Sequence, residues 1–185
     1  MISIAEWLNP TRIVGLTAYL FAFVSCVIGW RGGRGAPDRR RLAAFLAVVD
    51  AMLLVDLAFN GRWLLHDWLE NEAIAHGEYL QRFGPQVAAL GFSSFGLAAG
   101  IRLAIVRFKG RPGAFLAVCG GIVSFWCWCI EVISEHKVDA VMYYQIKGVM
   151  LVSLIWIAAS LMTGVGILWD MRAAKAESGL RGIRL

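Results

Sequence analysis

The chain has 185 residues, 59% of them hydrophobic, and carries a formal net charge of +5 at neutral pH. A soluble globular domain is roughly 45 to 50% apolar, so the composition excludes a soluble fold and predicts one membrane domain over residues 1–185. The basic residues lie in short loops beside apolar segments and not on a folded face, which excludes nucleic acid as a partner.

Five apolar segments predict membrane-spanning helices, each close to the length of about 20 residues that crosses a hydrocarbon core. They follow a short lead-in, residues 1–12, whose Trp7 is typical of the membrane interface. The predicted spans are residues 13–30, 42–60, 87–106, 114–133 and 149–168. Pro85, Pro112 and Gly148 mark the starts of the last three. The predicted fold is an all-α polytopic bundle.

The segment between the second and third spans, residues 61–86, is too polar to cross a membrane and too apolar for a plain loop. Apolar residues such as Trp63 and Trp68 alternate there with charged ones such as Arg62 and Glu70. This pattern predicts an amphipathic helix that lies in the membrane interface, with its tryptophans at the depth of the headgroups.

The charges alternate between the two sides of the predicted membrane. Thirteen of the eighteen Lys and Arg residues fall in residues 30–41, in residues 102–111 at the end of span three, and in the tail after Trp169. Because basic loops stay in the cytoplasm, this partition predicts an external N-terminus, a cytoplasmic C-terminus and a bacterial-type inner membrane. The bilayer is thus the first partner, and Arg39, Arg40 and Arg41 should attract anionic headgroups at the cytoplasmic face.

Small residues predict where the helices pack. Gly96 and Gly100 stand one turn apart in span three, and Ser160 and Gly164 do the same in span five. Such steps let two backbones approach closely in lipid. The contact could be inside the chain, with another membrane protein or with a second copy of this chain.

Asp50 and Asp56 are the acids inside an apolar span, and intramembrane acids are functional candidates because their ionised form is costly in lipid. Asp56 and Asn60 are one turn apart and predict a polar stripe that leads outward. The two aspartates are hydrogen-bonded contacts between helices or, alternatively, the coupling groups of a small proton-coupled transporter.

All three histidines fall on the predicted outer face with most of the acids. His136 and Asp139 are one helical turn apart, a spacing at which a carboxylate orients an imidazole or both bind a divalent metal. No HExxH, Walker or dinucleotide motif is present in the sequence. The candidate cluster comprises His66, His76, Glu131, His136, Asp139 and Tyr143. The favoured interpretation is a hydrogen-bonded cap with no cofactor, and the alternative is a site for a divalent metal.

The sequence leaves three functions open. The first is an accessory or scaffold subunit that binds a membrane partner through small-residue helix faces. The second is a membrane-bound enzyme or a redox or metal protein with its site in the outer cluster, and the third is the transporter. The sequence does not decide whether the protein is an enzyme.

Overall fold

The computed structural model of the protein describes residues 9–33 and 36–182. Most of the predicted lead-in, including Trp7, lies outside these residues. The described part contains seven α-helices: α1 (Pro10–Gly32), α2 (Pro37–Phe59), α3 (Gly61–Ala75), α4 (Phe83–Arg107), α5 (Pro112–Ile133), α6 (His136–Met142) and α7 (Val152–Gly182). A 3-10 turn at Tyr79–Gln81 precedes α4, and two short strands, β1 (Gln145–Ile146) and β2 (Val149–Met150), precede α7.

Five of these helices are long and apolar enough to cross a membrane: α1, α2, α4, α5 and the part of α7 over Val152–Glu177. The predicted all-α fold with five candidate spans is confirmed, and the chain is a polytopic membrane protein. α3 confirms the helix expected between spans two and three.

The predicted start of span five is wrong. Val149 and Met150 pair with Ile146 and Gln145 in an antiparallel hairpin, so the helix begins only at Val152. Lys147 and Gly148 both have positive φ, 52° and 81°, as the two central residues of a tight hairpin turn require. Gly148 therefore closes this turn and does not begin a helix.

The bundle has two chemically different ends. The histidine end, defined here by His66, His76 and His136, contains α3, α6 and the hairpin. The arginine end, defined by Arg39 and Arg111, contains the α1–α2 and α4–α5 loops and the last turns of α7. The amide of Met150 donates to the Thr11 hydroxyl at 3.0 Å, and this bond attaches the hairpin to α1.

The closest helix contact in the core joins α5 and α7. A Cβ added at Gly120 would lie 2.5 Å from the carbonyl oxygen of Ala159, and one added at Gly166 would lie 2.5 Å from the amide nitrogen of Ala117. Thr163 donates from its hydroxyl to the Ala117 carbonyl at 3.4 Å, across the same contact. Backbones approach this closely only where side chains are absent or very small.

The small residues singled out from the sequence lie in different surroundings. Ser160 is buried, and a Cβ at Gly164 would lie 2.5 Å from Phe21 of α1, so this pair faces a helix of the same chain. Gly100 lies against Ile122 of α5, whereas a Cβ at Gly96 would meet nothing within 4 Å.

α4 lies at the edge of the bundle. Only 6% of its apolar stretch is buried, compared with 50% for α7. It packs mainly against α5, and Phe92 and Phe95 are 80% and 72% exposed on its surface. The other four long helices form the core, and α4 is attached to one side of it.

Gly120→Ala should lower the free energy of unfolding by about 1 to 3 kcal/mol, the usual cost of overpacking a tight core. The reason is that the new methyl group collides with the α7 backbone at Ala159 and Thr163. The measurement is thermal unfolding of the purified protein in mild detergent.

Gly96→Ala is the matched control, since the same methyl group enters open space on α4. We expect its melting temperature to equal or slightly exceed that of the wild type, because Ala favours a helix over Gly. Equal melting temperatures for both variants would contradict the assignment of the tight helix contact to Gly120.

Candidate functional site

A buried arginine is the centre of the histidine end. Arg62, in the first turn of α3, is 1% exposed. Its Nε donates to Asp56 Oδ2 at 2.7 Å, and its Nη1 donates to Glu131 Oε2 at 2.5 Å. One guanidinium thus joins the last turns of α2 and α5.

The turn before α3 places Arg62 inside the bundle. α2 ends at Phe59, and Asn60 takes a left-handed conformation with φ 58°. α3 begins at the next residue, so Asn60 is a sharp corner and does not extend the predicted polar stripe from Asp56. Asn tolerates this conformation better than most residues.

Glu131 is held from three sides. Its Oε2 accepts from the indole Nε1 of Trp156 at 3.2 Å and from the Cys127 thiol at 3.7 Å, in addition to Arg62. The guanidinium carbon of Arg62 also lies 5.3 Å from the centre of the Trp156 ring, in cation–π range. This contact adds α7 to the helices that meet at Arg62.

Arg62 remains charged despite its burial. Loss of solvent alone would lower its pKa, but the carboxylate of Glu131, with Asp56, raises the pKa above the ordinary arginine value. A buried charge is tolerated only with a partner of opposite sign, and here the partners are two carboxylates. Glu131 is 3% exposed and Asp56 is 16% exposed, so Asp56 is the more solvated of the two.

Further hydrogen-bonding groups surround this ion pair. Arg62 Nη2 and the hydroxyls of Tyr19 and Tyr143 are buried next to it. The Tyr19 ring packs against Trp156 at 6.3 Å between centroids, and Tyr143 packs against Trp63 at 5.6 Å. Burial raises the pKa of Tyr143, which keeps its phenol protonated.

Four of the residues predicted for the outer cluster lie around this junction of α3, α5 and α6: His66, Glu131, Asp139 and Tyr143. His66 Nδ1 lies 3.1 Å from the Val132 carbonyl oxygen, and that contact sets the ring orientation. Asp139 Oδ2 accepts from the Ser134 hydroxyl. Burial raises the pKa of Asp139, while Ser134 and His66 act in the opposite direction.

The other two histidines lie at the surface, although His136 is close enough to Asp139 to favour its charged form. His76 is exposed at the end of α3, where its Nδ1 lies 2.9 Å from the carbonyl oxygen of Glu72. His136 is exposed on the first turn of α6. The cap of that helix is Glu135, whose Oε2 accepts from the backbone amides of Lys137 and Val138 at 2.9 and 3.1 Å.

Asp50 lies in a different part of the core. It is 1% exposed, and its Oδ2 accepts from the Cys26 thiol of α1 at 3.6 Å. Asp56 instead pairs with Arg62. The two aspartates therefore belong to separate hydrogen-bonded groups and not to one polar path.

A second set of ion pairs closes the arginine end. Asp170 of α7 is 5% exposed and accepts from Arg111 Nε and Nη2 at 3.3 and 2.6 Å. Arg39 Nη1 donates to the backbone carbonyl of Asp170 at 2.9 Å. Two arginines of the basic loops thus tie α2 and α5 to α7, a role that hydropathy and charge counts did not predict.

Comparison of the chain with known protein families, with curated proteins and with solved structures found no match. The function is therefore inferred from the geometry of the described residues.

The sequence prediction placed Arg62 on the amphipathic helix as a surface residue and missed its central part in the site. One signal was available: Arg62 is the sole Lys or Arg between Arg41 and Arg82, and it comes directly after a span that contains an acid. The partner Glu131 lies 69 positions away, so only the arrangement of the helices reveals the pair.

Arg62→Leu should destabilise the protein by about 3 to 5 kcal/mol, because it leaves Glu131 buried without a counter-ion. We expect a large fall in the detergent melting temperature. Arg82→Leu is the control, since Arg82 pairs with a partly exposed Glu70 and a surface pair contributes about 1 kcal/mol or less. If the two variants melted at the same temperature, the central role of Arg62 would be refuted.

Proposed function

We propose that the protein is a non-enzymatic accessory or scaffold subunit that binds a membrane partner through the outward face of α4. The observation that carries this proposal is that α4 lies at the edge of the bundle with only 6% of its apolar stretch buried. A spanning helix with one main neighbour has a free face for a further helix.

The free face has the composition of a helix interface in lipid. Gly84, Ala88, Gly91, Phe95 and Ala98 are all exposed and follow one another at alternating steps of four and three residues. This is the spacing of a seam between two helices, and small residues in it allow close approach. A Cβ at Gly84 or Gly91 would meet nothing within 4 Å.

The state of the acids supports binding over catalysis. Asp56 and Glu131 are both bonded to Arg62, and Asp139 accepts from Ser134. A general base needs a carboxylate that can reach a substrate proton. These three carboxylates instead hold helix ends together.

The proposal includes the orientation predicted from the charges, with the histidine end outside and the arginine end in the cytoplasm of a bacterial-type cell. The tryptophans of α3 support its position at the interface, since Trp63 and Trp68 are 37% and 57% exposed. Anionic headgroups are the expected lipid contact at the arginine end.

Gly91→Phe should abolish partner association, because the ring occupies the space that a second helix backbone needs. The measurement is native gel electrophoresis and cross-linking in membranes, followed by identification of the adduct by mass. Gly96→Phe is the matched control, since Gly96 lies on the same helix about 140° away at 100° per residue.

A heteromeric adduct or a dimer of this chain, present in the wild type and lost in Gly91→Phe, is the expected result. A wild-type protein that runs as a monomer in native membranes would overturn the proposal. If association were lost in Gly96→Phe but kept in Gly91→Phe, the interface would lie on the Gly96 side of α4 and not on the proposed face.

A second candidate function rests on one further observation. His66, Asp67 and Glu70 each offer a ligand atom, and these atoms all lie within 4.8 Å of one another. His66 Nδ1 is engaged with the Val132 carbonyl, which leaves Nε2 facing Glu70 Oε2 at 3.6 Å. Metal-binding histidines are commonly oriented in this way by a carbonyl on the other ring nitrogen. The candidate is a divalent-metal protein with its site on α3.

If this second candidate is correct, purified protein should bind one zinc ion in a calorimetric titration, and His66→Ala should remove that binding. His76→Ala serves as control because His76 lies outside the group of three. Equal zinc binding by the wild type and His66→Ala would exclude a metal site on α3.

A further inference from the structure

Two cavities lie end to end along one side of α4. The upper cavity, of about 340 Å³, lies at the histidine end between α3, α4 and the end of α5. The lower cavity, of about 690 Å³, lies between α2, α4 and α5. Gln86 and Ala89 line the first, and Ser93, Leu97 and Gly100 line the second. These residues are three or four positions apart and so share one face of α4.

Helices α4 and α5 line both cavities, which are together called the groove. Residues Trp126 and Cys129 of α5 line the lower cavity, and Ile133, four positions further on, lines the upper one. One wall is α2 with α3, which follows it directly in the chain, and the other wall is α4. The lower part is open at Gly96, where an added Cβ would meet nothing within 4 Å.

The groove is polar at one end and apolar at the other. At the histidine end, Arg82 Nη1 lies 3.3 Å from Glu70 Oε1, and both side chains are partly exposed, 24% and 31%. Hydrogen bonding from Tyr79, together with Arg82, lowers the pKa of Glu70, so this mouth carries one positive and one negative charge. The lower end is lined by rings and aliphatic chains, among them Phe45, Val49, Phe92, Ile122 and Trp126.

The length of the groove corresponds to one leaflet of a bilayer. From Gln86 to Gly100 the helix rises about 21 Å at about 1.5 Å per residue, and half of a bilayer with its headgroups measures about 20 to 22 Å. The lower cavity, of about 690 Å³, is lined almost entirely by apolar atoms, which suits an acyl chain.

We propose that this groove binds one phospholipid with a phosphoethanolamine headgroup from the leaflet at the histidine end. The phosphate lies at Arg82, the ammonium group lies at Glu70, and an acyl chain runs down α4 between α2 and α5. The adjacent opposite charges of the mouth match those of this headgroup. The site uses the inward face of α4, so it stands independently of the partner proposed for the outward face.

The first test uses native mass spectrometry of the protein purified in mild detergent. We expect the wild type to retain one phospholipid per chain. Gly96→Phe places a ring in the lower cavity and should reduce retention about tenfold, the loss that displacing two buried methylene groups brings. Gly91→Phe, on the opposite face, should retain the lipid at the wild-type level.

The second test examines the headgroup with delipidated protein and vesicles of phosphatidylethanolamine or phosphatidylglycerol that carry the same acyl chains. The wild type should prefer the ethanolamine lipid. Glu70→Gln should remove this preference by removing the partner of the amine, and Arg82→Gln should weaken binding of both lipids by removing the partner of the phosphate.

Equal lipid retention by the wild type and a folded Gly96→Phe would overturn the proposal, and so would equal binding of the two lipids by the wild type. If Gly96→Phe does not fold, Arg82→Gln provides the test instead. Unchanged lipid binding by that surface variant would refute the placement of the phosphate at Arg82. A failure of the partner proposal is distinguishable from these outcomes. It is measured by cross-linking of the wild type and of Gly91→Phe, and not by lipid retention.

Discussion

The ion pair of Arg62 with Asp56 and Glu131 fixes how the helices meet at the histidine end. It joins α2, α3 and α5, and Trp156 adds α7 through its hydrogen bond to the same carboxylate. An amphipathic helix beside a membrane could otherwise rotate or lift, because its apolar face binds lipid without a fixed neighbour. Here α3 is held by the charge of Arg62, which cannot leave the bundle without leaving the buried Glu131 carboxylate unpaired. The position of His66, and with it the mouth of the groove, follows from this attachment.

The contacts of α5 and α7 complete the core and explain why α4 stays outside it. Glycines on both helices bring the backbones into contact, and Asp170 ties α7 to Arg39 and Arg111 at the other end. Once α1, α2, α5 and α7 are packed, α5 has one remaining face for α4. The space between α4 and α2 then remains as a groove, while the outward side of α4 faces the bilayer. The outward face of α4 is thus proposed to bind a membrane partner, and its inward face is proposed to bind a phospholipid.

Hydropathy predicted the spans well because a membrane helix has to be apolar over its whole length, whatever its neighbours are. The alternation of Trp and charged residues likewise predicted α3. The hairpin before α7 was missed because two-residue strands have no periodicity, and the left-handed Lys147 and Gly148 are visible only in the backbone. For the candidate cluster, sequence proximity suggested His136 with Asp139. In the structure Asp139 bonds to Ser134, since the left-handed Ser134 at the end of α5 brings its hydroxyl to that carboxylate.

By itself, the sequence determined that this is a membrane protein of five apolar helices, with its histidines grouped at one end and most of its arginines at the other. Those properties are local, since each depends on the composition of one segment. Only the tertiary structure decided which groups meet: Arg62 with Glu131 across 69 positions, Gly120 with Ala159, and α4 mainly with α5. Such pairings depend on how the helices pack and turn relative to one another, and no single segment of the sequence specifies that arrangement.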